Sequence, residues 1–147
     1  MNVYSIIFSF LEHVRTLGWE VKSLLDYGQY LDLTNEIVAI PGEERACIQY
    51  REWRKTINPG TVLRDFYLLR EGITRGLYDY IILIYSPGHN TPISFYSARP
   101  RHLDKLVIFD LNLGFKKYST RVYTGRYECK VAKEFEEYIR QLGFRPW

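Results

Sequence analysis

Asp79-Tyr80-Ile81-Ile82-Leu83-Ile84-Tyr85 is an unbroken apolar run opened by a single acid, and its reading decides the kind of protein this is. A strand with one face in water alternates polar and apolar residues. A run with no polar position suits a central strand covered on both faces, as in a largely parallel sheet with helices on each side. Upstream of it, Val62, Phe66, Leu69 and Ile73 recur at helical spacing behind Asn58-Pro59-Gly60, whose proline fits a first helical turn, and Gly72 lies near the helix end. Downstream, Thr91-Pro92 reads as the cap and first turn of a short helix through Ala98, and Lys105 to Leu111 as a second buried strand. Helix and strand alternate, so the fold class is α/β.

The N-terminal third supplies a helix and a meander. Val3, Ile6, Ile7, Phe10, Leu11, Val14 and Leu17 share one helical face, and Gly18 is the left-handed stop. Trp19 to Leu25 reads as a short strand and Tyr30 to Ile40 as a longer one, closed by the turn Pro41-Gly42-Glu43-Glu44. Arg45 to Arg51 returns as its hairpin partner. Period 2 puts Cys47, Gln49 and Arg51 on one face of that strand, and Ala46, Ile48 and Tyr50 on the other. Beyond residue 112, the alternation Tyr118, Thr120, Val122 within Phe115 to Glu128 suggests a hairpin or edge strand, and Lys130 to Leu142 a last helix stopped by Gly143. Phe10 to Trp19 and Phe135 to Phe144 are identical at five of ten positions, which predicts two helices with the same apolar face and the same glycine stop.

At 147 residues the chain fits a single domain, 1–147, and folding a chain of this size buries about 68–70% of the surface it exposes when unfolded. The two cysteines, Cys47 and Cys129, are too few for a disulfide framework and lack metal-ligand spacing, which favours a reduced, cytoplasmic setting. His13, His89 and His102 have no zinc-like spacing either. Met1 to Leu17 has no basic lead or small-residue cleavage site, and no stretch holds the eighteen uninterrupted apolar residues of a spanning helix, so a soluble protein with no membrane partner is expected. No glycine-rich phosphate loop, dinucleotide fingerprint or nucleophile elbow occurs, so no nucleotide cofactor or hydrolase triad is supported. Ser86-Pro87-Gly88-His89-Asn90-Thr91, after the buried strand, reads as an ordinary turn-rich loop, although loops in that position also gather ligands.

The net charge of +3 is unevenly spread. Residues 1–43 carry two basic and six acidic side chains, whereas 99–133 carry nine and three. Basic segments sharing a face would attract a polyanion; dispersed, they are a solvated surface. Arg51, Trp53, Arg54, Lys55 and Arg64 are one basic and aromatic group, suited to phosphates and an unpaired base if Trp53 is exposed, or to ordinary packing if it is buried. Arg99, Arg101, His102, Lys116, Lys117, Arg121, Arg126 and Lys130 are a second.

Leu17-Gly18-Trp19-Glu20-Val21, Asp32, Ile48-Gln49-Tyr50-Arg51, the following helix and Tyr80-Ile81-Ile82-Leu83-Ile84 together resemble the Mrr-like branch of the restriction-endonuclease-like superfamily. The likeness covers about residues 5–112. It implies a nuclease-like core over 1–112, with a central mixed sheet flanked by helices, and a C-terminal strand and helix extension over 113–147. It also implies DNA as partner, Mg2+ as cofactor, Asp32 as metal ligand, Gln49 as a second ligand or positioning group, and Arg51 where a lysine is usual. Arg54, Lys55 and Arg64 would be phosphate contacts, and a homodimer joined at the aromatic edge Tyr118 to Tyr127 is in keeping with such families.

Two departures weigh against cleavage. An arginine stays charged at any working pH, so Arg51 can stabilise charge but cannot exchange a proton. The glutamate usual early in the first helix is missing, since that region reads Ser5-Ile6-Ile7-Phe8 and Glu12 falls too far along. Asp32 with Gln49 alone would hold magnesium weakly, unless Glu20 or Asp26 substitutes in space. The expectation is a DNA-binding protein with a degenerate or weak metal-dependent endonuclease site. The alternative is a non-catalytic protein-interaction or regulatory protein on the same scaffold, with Asp32 making a local hydrogen bond, Gln49 an edge residue and Arg51 paired with Glu36 or Glu52.

Overall fold

The computed structural model describes residues 2–23, 35–52, 59–86, 99–120 and 129–146, and everything below refers to these. The elements follow in the order α1 (Val3–Thr16), β1 (Glu20–Ser23), β2 (Asn35–Ala39), β3 (Arg45–Glu52), α2 (Pro59–Thr74), β4 (Tyr80–Ser86), a 3-10 turn (Leu103–Lys105), β5 (Leu106–Leu111), β6 (Phe115–Ser119) and α3 (Lys130–Gln141). The six strands form one sheet in sequence order. β1, β2 and β3 are an antiparallel meander, β3, β4 and β5 run parallel, and β6 returns antiparallel at the far edge. The expected short helix Thr91 to Ala98, the loop Pro87 to Thr91 and the start of the strand from Tyr30 lie outside the described residues.

The sheet separates two cores, and the period-2 reading of β3 assigns its side chains to them correctly. Ala46, Ile48 and Tyr50 join Ile82, Ile84, Val107 and Phe109 beneath α1 and α3. Cys47 joins Ile81, Leu83, Tyr85 and Ile108 beneath Val62, Phe66 and Leu69 of α2. β4 is therefore covered on both faces, which is why Ile81, Ile82, Leu83 and Ile84 follow one another with no polar residue between them.

The C-terminal extension belongs to the first of these cores. Val131, Ala132, Phe135 and Ile139 of α3 are buried with α1, and Phe10 meets Phe135 edge to face at 5.1 Å. The ten-residue repeat encodes a shared helix ending. The Trp19 amide donates to the Val14 carbonyl at 3.1 Å and the Phe144 amide to the Ile139 carbonyl at 3.0 Å, while Gly18 and Gly143 each donate three residues back at 3.0 Å. Both glycines have φ values, +82° and +103°, that a side chain would strain.

Candidate functional site

Polar side chains collect on the α2 side of the sheet, at the carboxyl ends of the three parallel strands. Arg51 of β3, Tyr85 of β4, Asp110 of β5 and Lys116 of β6 are register partners along one rung. The neighbouring rung pairs Asn35 of β2 with Gln49 of β3. Residues paired across strands project to one face, so six polar groups from five strands share this end. In open α/β sheets the carboxyl ends of parallel strands are where ligands bind.

Asp65 of α2 ties the cluster together. It sits on the stripe that also carries Val62, Phe66 and Leu69, and is fully buried. Arg51 donates to it twice, from Nε to Oδ2 at 2.8 Å and from Nη2 to Oδ1 at 3.0 Å. The Tyr85 hydroxyl donates to Oδ2 at 3.1 Å. A bidentate guanidinium pair plus a phenol compensates a carboxylate that would otherwise be untenable in a core. The Tyr85 phenol is pushed well above its usual range, first by burial and then by the Asp65 carboxylate beside it. The acid that Arg51 is seen to pair with is thus Asp65, where Glu36 or Glu52 was expected. Glu36 is the register partner of Ile48 and lies on the opposite face, and Glu52, next to Arg51 in an alternating strand, follows it there.

Gln49 and Asn35 are the anomaly. They are 1% and 4% exposed, yet among the described residues none of their four side-chain polar atoms has a hydrogen-bond partner. Each such orphan is worth about 1–3 kcal/mol of lost solvation, and native structures keep few of them without a water, an ion or a function to account for them. Gln49 is therefore a buried residue of an inner strand, not the edge residue of the interaction-protein alternative.

Of the other residues singled out in the sequence, Asp32, Arg54, Lys55, Trp53 and Asp26 lie outside the described residues. Arg64 is exposed on α2. Tyr67, Leu68 and Glu71 are exposed on the same helix and Arg75 just beyond its end, and the Arg70 guanidinium stacks over the Tyr67 ring at 4.4 Å. The second basic group disperses. Arg99, Arg101 and His102 precede β5 at the opposite end of the sheet, and Lys117 pairs with Glu136 at 2.6 Å on the α1 side. Lys130 pairs with Glu43. Arg121, Arg126 and Tyr127 are outside the described residues, and Tyr118 is half-buried against the α2-side core.

The described residues do not fit a magnesium ion. Both Asp65 oxygens are engaged by donors, with a guanidinium in contact, and among the described residues no group of three or more His, Cys, Asp or Glu could hold a metal. Cys47 and Cys129 are buried and unbridged, and burial pushes both thiols far up, so neither is poised as a nucleophile. No helix among the described residues is long and apolar enough to cross a membrane.

Sequence reasoning missed Asp65, Asn35, Tyr85 and Asp110 as site residues. Two of them carry a readable signal: Asp65 is a charge on an apolar helical stripe, and Asp110 a charge on the buried face of the run Leu106-Val107-Ile108-Phe109-Asp110-Leu111. Comparison of the chain with models of known families, with curated proteins and with solved structures gave no significant match.

Proposed function

We propose that this chain is a DNA-binding protein on a restriction-endonuclease-like scaffold of the Mrr-like kind, with a cleavage site that no longer cuts. The reading is supported by the order of a helix, a three-strand antiparallel meander, a second helix and a strand parallel to the third, and by Gln49 and Arg51 sharing one face of β3. The observation that carries the loss of cleavage is the bidentate Arg51–Asp65 pair. A guanidinium held by a buried carboxylate neither exchanges a proton nor leaves that carboxylate for a metal. Asp32 and Mg2+ belong to the ancestral chemistry in this proposal, and Asp32, Arg54 and Lys55 enter it from the sequence alone. DNA is met along the solvent side of α2, where Arg64 and Tyr67 are one turn apart beside Arg70 and Arg75 follows just past the helix end, giving phosphate contacts interleaved with an aromatic ring.

The test is binding of labelled single-stranded and duplex DNA across a salt series, together with incubation of supercoiled DNA with Mg2+ or Mn2+. Affinity that falls steeply with salt and weakens in Arg64→Ala is expected, with no metal-dependent product. Product formed by the wild type and lost in Asp32→Ala would overturn the inactive assignment, and salt-insensitive or absent DNA binding would overturn the partner. A second reading, a protein-interaction module, is favoured by Tyr4 and Phe8, which are 38% and 55% exposed on α1 around the Tyr50 ring. It predicts association with a protein that salt leaves unchanged.

A further inference from the structure

We propose that Asn35 and Gln49 form a recognition site for the hydrogen-bonding edge of an unpaired, uncharged nucleobase. This rests on the DNA-binding reading and specifies what that site takes.

A carboxamide presents one acceptor and two donor hydrogens in a plane. Asn35 and Gln49 are register partners, so two such planes lie side by side on one face. All four of their polar atoms are buried without a partner among the described residues. Such donors and acceptors complement the edge of a heteroaromatic base, which a single asparagine or glutamine carboxamide reads bidentately. They are poorly suited to a hard cation, which prefers carboxylates.

The surrounding charges separate a base from a phosphate. On this face Arg51 is matched by Asp65, and Asp110 stands opposite Lys116 in the register. Among the described residues on this face, two cations and two anions balance, so these groups favour no anion. A neutral ligand loses nothing by that balance, and the buried amides supply what it needs. Base edges inside a duplex are stacked and paired, so a base reaches a buried amide pair only when extruded or single-stranded. Phosphates of the same strand fall to the separate arginine stripe on the outside of α2.

The experiment measures binding of the full chain to labelled single strands of dA, dC, dT and mixed sequence and to an abasic strand of equal length, at several salt concentrations. Wild type is expected to favour at least one base over the abasic strand by roughly 5- to 150-fold, the range of one good bidentate base contact. The double variant Asn35→Leu/Gln49→Leu is expected to bind every strand as the wild type binds the abasic one, with an unchanged salt slope. If it does not fold, Gln49→Met serves, its fold checked by melting. Equal wild-type affinity for abasic and base-bearing strands, or a preference that survives in the variant, overturns the inference and leaves the DNA-binding reading intact. If no strand binds, that reading fails, and free nucleosides then decide the site. A melting shift by a nucleoside in the wild type that is absent in the variant supports it, and no shift with any of the four overturns it.

Discussion

Replacing Arg51 by leucine separates a structural from a DNA-contacting arginine. Asp65 is fully buried and the Arg51 side chain is 23% exposed, so the variant leaves a carboxylate in the core with Tyr85 as its remaining donor in the triad. Breaking a buried pair from one side costs about 3–5 kcal/mol. The partial exposure of Arg51 screens its end of the pair and puts the expectation near the lower figure, about 3 kcal/mol. For a domain of this length each kcal/mol moves the midpoint by about 2–4 °C, so Tm should fall by roughly 6–12 °C. Removing both charges behaves differently. Arg51→Leu/Asp65→Leu fills the space with apolar atoms and strands the Tyr85 hydroxyl of the triad, and should melt within about 1–3 kcal/mol of wild type; adding Tyr85→Phe should recover part of that. The assay is urea and thermal melting of the single and double variants as a cycle, with equal m values required for the comparison. An Arg51→Leu variant that loses less than about 1 kcal/mol, as an exposed ion pair would, refutes the reasoning: the guanidinium would then not be committed to Asp65, and the argument against cleavage chemistry would fall with it.

Two further outcomes test the packing and the electrostatics elsewhere. Gly72 lies against the buried Tyr78 ring, whose hydroxyl donates to the Leu69 carbonyl, and a methyl group at residue 72 would overlap that ring; Gly72→Ala should therefore destabilise by about 1–3 kcal/mol despite the better helix propensity of alanine, and in a Tyr78→Ala background the same change should be neutral or stabilising, both read by urea melts. Glu44 accepts the Val131 amide at 3.1 Å at the start of α3, where Cys129 provides no side-chain cap, and burial pushes its carboxyl above the ordinary 4.5. A carboxyl raised in the fold gives stability that is fully present below pH 4.5 and lost as pH rises from there through the folded value. Melting of wild type against Glu44→Gln should show the wild type at its relative best in acid and losing ground toward neutrality, and a difference independent of pH would remove Glu44 as its source.

Local periodicity made the fold readable because burial in a layered protein is a local pattern. β4 had to be central because nothing in Tyr80 to Tyr85 tolerates water, and β3 had to divide its side chains between two cores because its alternate residues both suit burial. The helix endings were equally legible, since Gly18 and Gly143 are demanded by a left-handed backbone and recur at matching places in the ten-residue repeat. What periodicity cannot carry is partnership between distant elements. That α3 would pack on α1, and so share its core rather than append to it, depends on the His13–Glu134 contact at 2.8 Å and the Phe10–Phe135 edge, made by residues more than a hundred positions apart.

The site was half legible for the same reason. Gln49 and Arg51 were placed on one face by counting twos along a strand, and that face is the one they occupy. The partner of Arg51 was sought among nearby acids, Glu36 and Glu52, because proximity in sequence is the only proximity a sequence displays. Yet a strand followed by a helix folds back so that the first buried turn of the helix meets the end of the strand, and fourteen residues separate Arg51 from Asp65. An acid on the apolar stripe Val62, Phe66, Leu69 has to be compensated, and the cation best placed to do so is the one at the end of the strand just left. Arg51 and Asp65 thus predict each other, and a pair chosen by that logic is spent on holding α2 to the sheet. Asn35 and Gln49 at this end carry no charge to be compensated, and among the described residues their side chains have no hydrogen-bond partner. That asymmetry is why the proposed recognition rests on the amides, while the Arg51–Asp65 pair holds α2 to the sheet.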